Sequence, residues 1–283
     1  MDLSNKLCIV TGANSGIGKE TARSFAADGA YVVMVCRNEQ RAKTARQDII
    51  KDTGNTGVEV IIADLAVQHD VRSAADQINK EFDQIDVLVN NAGLIVNERQ
   101  ETIDGIEKTL AVNHLAPFLL TNLLWDGLHQ SEDGRIINVS SEVHKMVANV
   151  FDLGNLQLTE NYSAMNAYGI SKLCNIMFTH ELAKRTDNSA ITTYSLHPGV
   201  VRTQLAEEAG WAMKLFYWIG KPFMRSTKSG AATTIYLAKS DEVSSMNGQY
   251  FKDERLAEPA SIAYNDDITS QLWKISEELT GLS

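Results

Sequence analysis

The sequence predicts an α/β protein: one doubly wound parallel sheet with helices on both faces. Three observations carry that expectation. Six short Val- and Ile-rich runs recur along the chain, helical stretches separate them, and the unusual polar and glycine-rich residues fall just after the runs.

The runs at 6–10, 31–35, 58–62, 87–89, 135–139 and 192–196 are apolar at almost every position, as in strands buried on both faces. The stretches 17–28, 39–51, 67–82, 106–128 and 167–185 place apolar residues three and four apart, so each presents one stripe to the sheet. Strand and helix in alternation imply right-handed βαβ crossovers. A further short strand at 249–251 and a helix at 266–280 complete the expected elements. With 283 residues, four scattered prolines and no low-complexity linker, residues 1–283 read as a single domain.

Composition excludes several function classes. A net charge of −10 repels nucleic acid and anionic lipid, so any phosphate site must be local. Cys8, Cys36 and Cys174 are far apart and without CxxC spacing, and the six histidines form no ligand motif; no metal site is expected. The N-terminus does not read as a signal peptide, and no apolar run reaches the roughly 20 residues of a transmembrane helix. The expected localisation is cytoplasmic.

In an open parallel sheet, ligands bind beyond the carboxyl ends of the strands, where strand order reverses. There the sequence places Gly12, Gly16 and Gly18 in TGANSGIGKE, between the first strand and the first helix. Glycine admits the backbone close to a ligand, and the N–H groups and dipole of a helix N-terminus favour an anion, so this Rossmann-like loop reads as a pyrophosphate cradle. Asn91, Ala92 and Gly93 follow the fourth run, Ser140 and Ser141 the fifth, and His197, Pro198 and Gly199 the sixth. Tyr168 and Lys172 are four apart on a helix and so share one face. A nearby ammonium favours the phenolate, which makes a tyrosine a usable acid–base group near neutral pH.

The spacing GxxxGxG, NNAG at 90–93, Asn113, Ser141, YGISK at 168–172 and HPGVVRT at 197–203 occur in this order, and over nearly the whole chain the sequence resembles the short-chain dehydrogenase/reductase family. The pattern looks most like its retinol dehydrogenase-like branch. The resemblance implies hydride transfer between a nicotinamide and a carbonyl or alcohol carbon. Tyr168 would be the proton donor and acceptor, and Ser141 the hydrogen-bond partner of the substrate oxygen, with Ser140 as its rival. Lys172 would lower the tyrosine pKa and bind the ribose, and Asn113 would kink its helix and complete a proton relay. The implied cofactor contacts are Gly12, Asn14, Ser15, Gly16, Ile17, Gly18, Arg37, Asn38, Asp64, Leu65, Asn91, Ala92, Gly93, Tyr168, Lys172, Pro198, Gly199, Val200 and Thr203.

Arg37 at the end of the second strand stands where an NAD enzyme of this fold usually offers a carboxylate. A guanidinium there can grip a ribose 2′-phosphate through paired hydrogen bonds, so the expected cofactor is NADP(H); a solvated surface arginine is the plain alternative. Asp64 and Leu65 would meet the adenine, although Asp64 also suits a helix N-cap. Between Ser141 and Tyr168 lie 26 residues, an insertion expected to loop over the substrate cleft. Residues 204–226 are rich in large apolar side chains and are expected to form a substrate lid, with packing on the core or contact with a membrane or partner as alternatives.

The expected substrate is a small lipophilic aldehyde, ketone or alcohol. The alternatives are retinol or hydroxysteroid oxidation, and a non-catalytic NADP-binding sensor or scaffold. Homodimerisation through 106–128 and 167–185 is expected by the same resemblance.

Overall fold

The computed structural model describes residues 1–187, 189–201 and 225–282. Its centre is a sheet of eight strands in the order β3-β2-β1-β4-β5-β6-β7-β8. The strands are β1 (Leu7–Thr11), β2 (Tyr31–Cys36), β3 (Val58–Ile62), β4 (Val87–Asn90), β5 (Gly134–Val139), β6 (Ile191–His197), β7 (Tyr250–Lys252) and β8 (Arg255–Leu256). The first seven run parallel, and β8 turns back antiparallel on β7 at the edge. Strand order reverses between β1 and β4, which puts the switch point beside the glycine loop.

Side chains alternate across a strand, so two apolar faces require an apolar residue at every position. Cys8 and Val10 of β1 enter one core with Phe25, Ile49 and Leu237, whereas Leu7 and Ile9 enter a second with Ile78, Phe118 and Phe178. The first face carries α1 (Gly16–Ala27), α2 (Glu39–Thr53) and, after the sixth strand, α9 (Thr227–Lys239). The opposite face carries α3 (Gln68–Glu81), α5 (Ala116–Leu123) and α8 (Ala164–Arg185). The doubly wound expectation therefore holds, and the predicted strands and long helices agree with the structure to within a few residues, apart from 106–128. No reading of the sequence anticipated α9 or β8.

Residues 106–128 do not form one helix. A short α4 (Lys108–Leu110) passes into a π-helical turn, Ala111–Leu115, followed by α5 and α6 (Trp125–His129). Asn113 lies inside the π turn. The amide side chain faces Leu94, accepting from its N–H at 2.8 Å and donating to its carbonyl at 3.0 Å. One widened turn thus offers both ends of an amide to a neighbouring backbone, which explains an Asn at a position of poor helix propensity.

The insertion also differs from expectation. It forms α7 (His144–Val147) and a 3₁₀ turn (Leu153–Asn155), and Val147, Leu156 and Leu158 join a third core with Ile170 and Leu173 of α8. Only Met146 and Val150 project as large exposed apolar residues. Its apolar side chains are therefore mostly consumed in packing against α8 rather than spread over the cleft.

The C-terminal helix α10 (Asp266–Thr280) covers the helices expected to form a dimer face. Trp273 wedges between Phe118 of α5 and Phe178 of α8, with ring centroids at 4.9 and 5.7 Å, and the Arg185 guanidinium stacks on it at 3.9 Å. Helix α8 is buried almost all round, and none of the exposed large apolar residues lies on α5 or α8. Among the described residues, no helix is long and apolar enough to cross a membrane.

Candidate active site

A cleft of about 460 Å³ opens beyond the carboxyl ends of the strands. It gathers Gly12, Asn14, Ser15, Gly16 and Ile17 of the first loop, Arg37, Asp64 and Leu65, Asn91, Ala92 and Gly93, Ser141, Tyr168 and Lys172, and Pro198, Gly199 and Val200. Seventeen expected positions separated by up to 188 residues therefore share one wall or another of a single cavity. Thr203 and most of the expected lid, 204–224, lie outside the described residues.

The loop is shaped to admit an anion. Gly12 has φ +67°, and a Cβ there would lie 3.0 Å from the Ala92 Cα. Helix α1 begins at Ser15 without a side-chain capping bond and with no acidic residue in its first turn, so nothing in its own sequence neutralises the positive end of its dipole. Gly18 does not line the cleft. A Cβ there would fall 2.4 Å from the Asn91 Nδ2 and 2.6 Å from the Gly12 carbonyl oxygen, so this glycine lets α1 approach the β1 and β4 termini. Asn91 fastens the same corner, donating from Nδ2 to the Thr11 carbonyl at 2.8 Å, while the Thr11 hydroxyl accepts from the Asn91 and Ala92 N–H groups at 3.0 Å.

At the far end, Arg37 is joined by Arg41 from the first turn of α2. Arg41 escaped the sequence reading, although its spacing four residues from Arg37, half a turn into a helix, was a usable signal. Asn38, expected to touch cofactor, instead caps α2 by accepting from the Arg41 N–H at 2.9 Å, and it is absent from the cleft lining. Asp64 lines the cleft and also accepts from the Ala66 N–H at 3.0 Å; the residue before α3 is Val67, so Asp64 holds a turn rather than capping that helix.

The cleft thus offers a dinucleotide an uncapped helix terminus for a pyrophosphate and, at its far end, the Arg37 and Arg41 side chains. These features fit a nicotinamide dinucleotide. Arg37 and Arg41 would stand at its adenosine end, and Tyr168 and Lys172 at its reacting end.

Around the expected chemistry, Lys172 is buried and donates from Nζ to the Val139 carbonyl at 2.8 Å. Burial pushes its ammonium down to about 8. The same Nζ lies 5.7 Å from the centre of the Tyr168 ring, and Tyr168 lines the cleft. Asn113 is behind this pair and not in the cleft lining. Its Nδ2 donates to the Ser171 hydroxyl at 3.0 Å, which donates to the Tyr168 carbonyl at 2.8 Å, so Asn113 reaches the tyrosine through backbone. A Cβ on Gly93 would meet the Asn113 Oδ1 and Lys172 Nζ, each at 3.4 Å, which brings the two side chains to one spot at the end of β4.

The two serines separate cleanly. Ser140 is buried and spends its hydroxyl proton on the Lys172 carbonyl at 2.7 Å, tying β5 to α8. Ser141 accepts only a long 3.4 Å bond from the Val143 N–H, which leaves its own proton for a group in the cleft. Leu94, Val112, Val139, Val143 and Val201 add apolar lining that sequence reasoning did not assign, and His197 adds an imidazole that burial pushes down to about 4.

An α/β sheet with this strand order, a glycine loop at its switch point and a serine, tyrosine and lysine on one cleft defines a nicotinamide-dependent oxidoreductase class. The chain belongs to the short chain dehydrogenase family, whose profile matches residues 6–213. It is accordingly an oxidoreductase acting on CH–OH or carbonyl groups, of the retinol dehydrogenase-like branch. It is 38% identical over 282 residues to Retinol dehydrogenase 12 of Homo sapiens, covering 100% of this chain and 88% of that protein. It is 40% identical over 285 residues to Retinol dehydrogenase 11 of Mus musculus, with the same coverage of 100% and 88%. A WW domain-containing oxidoreductase of Gallus gallus is 38% identical, matching 98% of this chain and 69% of its own length. Among solved structures, a protein of Mycobacterium paratuberculosis is similar at TM-score 0.79 and 30% identity, over 99% of this chain and 95% of its own. A short chain dehydrogenase from Pseudomonas syringae matches at TM-score 0.69 and 27% identity, over 89% and 96%.

Proposed function

We propose that this protein is an NADP(H)-dependent oxidoreductase whose substrate is a lipophilic aldehyde or ketone, or the corresponding alcohol. The observation that carries the reading is the shared cleft: Ser141, Tyr168 and Lys172 line the same cavity as the glycine loop and the Arg37–Arg41 pair. The apolar residues in its lining, among them Leu94, Val112, Val143 and Val201, suit a hydrocarbon substrate.

A bound nicotinamide would supply or accept the hydride. Tyr168 gives its hydroxyl proton to the carbonyl oxygen as that oxygen gains charge, and takes a proton back in the alcohol direction. Ser141 donates a hydrogen bond to the same oxygen and fixes its place beside the tyrosine. The Lys172 ammonium favours the phenolate that remains, and Asn113 holds the loop after β4 at the distance that keeps Gly93 against both. Asn14, Ser15, Gly16 and Ile17, which line the cleft at the α1 terminus, would hold the pyrophosphate, and Pro198, Gly199 and Val200 would border the nicotinamide.

A retinoid is the second reading of the substrate, favoured by similarity to proteins named retinol dehydrogenases over the entire chain. Steady-state rates in both directions with long-chain aldehydes, all-trans-retinal and ketosteroids discriminate the two. The cofactor is tested by titration calorimetry of NADPH and NADH on the wild type and on Arg37→Ala. NADPH is expected to bind at least about tenfold more tightly than NADH, an advantage that falls in the variant because a charge-assisted pair contributes about 1.5–3 kcal/mol. Equal affinity for both cofactors would remove the arginine as selector.

A further inference from the structure

The residues just after the proposed catalytic serine are held in an unusual way. Ser141 has a carbonyl as well as a hydroxyl, and that carbonyl takes two hydrogen bonds from one residue: from the His144 backbone N–H at 3.1 Å and from its Nδ1 at 2.6 Å. A carbonyl can only accept, so Nδ1 carries the ring proton. On the far side of the ring, Nε2 accepts from the Ala260 N–H at 3.0 Å, which requires its lone pair. Both bonds are satisfied by a single species, the neutral Nδ1–H tautomer. The side chain is wholly buried, and burial lowers the imidazole pKa, which keeps that species neutral.

Ala260 belongs to the segment after β8, far from Ser141 in sequence. Two more contacts join the same partners. The His144 ring packs edge-on against Tyr250 of β7 at 5.3 Å, and the Tyr250 hydroxyl donates to the Glu142 carboxylate at 2.9 Å. Lys252 reaches the other Glu142 oxygen at 3.2 Å. On the opposite side, α7 lies so close to α8 that a Cβ on Gly169 would fall 2.8 Å from a Val147 methyl.

We infer that His144 is a positioning residue that fixes Ser141 by bridging its carbonyl to the backbone at Ala260, so that the serine hydroxyl is set by the C-terminal segment as well as by β5. The inference rests on the proposal that Ser141 serves the substrate oxygen. Rotation of the Ser141 peptide would swing that hydroxyl, and a misplacement of about 1 Å can cost about a hundredfold in rate. The Nδ1–H bond opposes that rotation; the Ala260 N–H selects the tautomer able to make it.

The test compares His144→Ala, His144→Asn and Ser141→Ala, alone and combined, with two readouts. The first is all-trans-retinal reduction by NADPH. His144→Ala is expected to lower kcat at least tenfold with NADPH affinity unchanged. His144→Asn, whose amide can replace the Nδ1 donor, recovers most of that loss. In the Ser141→Ala background, His144→Ala has no further effect, because its action passes through the serine. The second readout is hydrogen–deuterium exchange in the absence of substrate. His144→Ala raises uptake in both 139–146 and 257–264, whereas His144→Asn raises it only in 257–264. Unchanged kcat, additive losses in the double variant, or uptake that does not rise at 139–146 would each overturn the inference. A Ser141→Ala protein with full activity would instead overturn the serine's proposed role, leaving the exchange result to decide whether the bridge holds the loop. A fall in NADPH affinity and melting temperature matching the kcat loss would assign His144 to structure alone.

Discussion

At the residue scale, the proposed site places opposing demands on one group. Lys172 is useful as an ammonium, yet its burial favours the neutral amine. With the folded pKa near 8 and the unfolded value near 10.5, the unfolded chain binds more protons between those limits. Burying the charge therefore costs stability in full below about pH 8, and the cost is relieved as pH rises from about 8 to 10.5. Lys172→Met should abolish turnover and raise the melting temperature at pH 7 by a few degrees, as seen by calorimetry; a melting point that falls would show that the bond to Val139 outweighs desolvation. Loss of the ammonium should weaken tyrosine activation, so kcat measured against pH should fall as pH rises above about 8. The two serines give a paired prediction. Ser141→Ala should lower kcat by about a hundredfold with little change in stability. Ser140→Ala should cost about 1 kcal/mol of stability, in urea unfolding, through its lost bond to α8, with a smaller effect on rate.

At the element scale, the decisive contact is between α7 and α8. Gly169 follows Tyr168 directly, and the absence of a side chain there allows Val147 to pack against the helix that carries the tyrosine. Gly169→Ala gains helix propensity but forces Val147 and α7 outward, with a net cost of about 1–3 kcal/mol. Because α7 follows Ser141, kcat should fall together with the melting temperature; a stabilised, fully active variant would show that α7 shifts freely. The π turn at Ala111–Leu115 makes the same point about position. Asn113 was legible as a residue out of place in a helix, but the widened turn was not, since an apolar periodicity of three and four is the same on either side of it. Arg41 was missed and Asn38 was given a cofactor contact for a similar reason. Both follow Arg37 closely, and only the start of α2 decides which caps the helix and which faces the cleft.

At the scale of the whole molecule, α10 closes the hydrophobic face that α5 and α8 would otherwise expose. Trp273 is 5% exposed in that contact, and its removal leaves a cavity between Phe118 and Phe178. Trp273→Ala should cost about 3–5 kcal/mol in chemical unfolding, and sedimentation should then report whether the uncovered face self-associates. A cost below about 1 kcal/mol would mean that α10 docks without the tryptophan. The same C-terminal region reaches His144 and Glu142 through Ala260, Tyr250 and Lys252, so the end of the chain serves both the core and the segment that follows Ser141.

The sequence by itself determined the doubly wound sheet, because strands buried on both faces need unbroken apolar runs, and it determined the glycine loop and the serine, tyrosine and lysine, because these sit at strand ends or at a helical spacing of four. Tertiary structure alone decided the rest. Gly18 proved to be a packing glycine, Ser140 a tether to α8, and the insertion after Ser141 a piece of core, and His144 found its second partner 116 residues away. Each depends on a distance between segments remote in sequence. Periodicity records which face of an element is buried, but not which neighbour buries it.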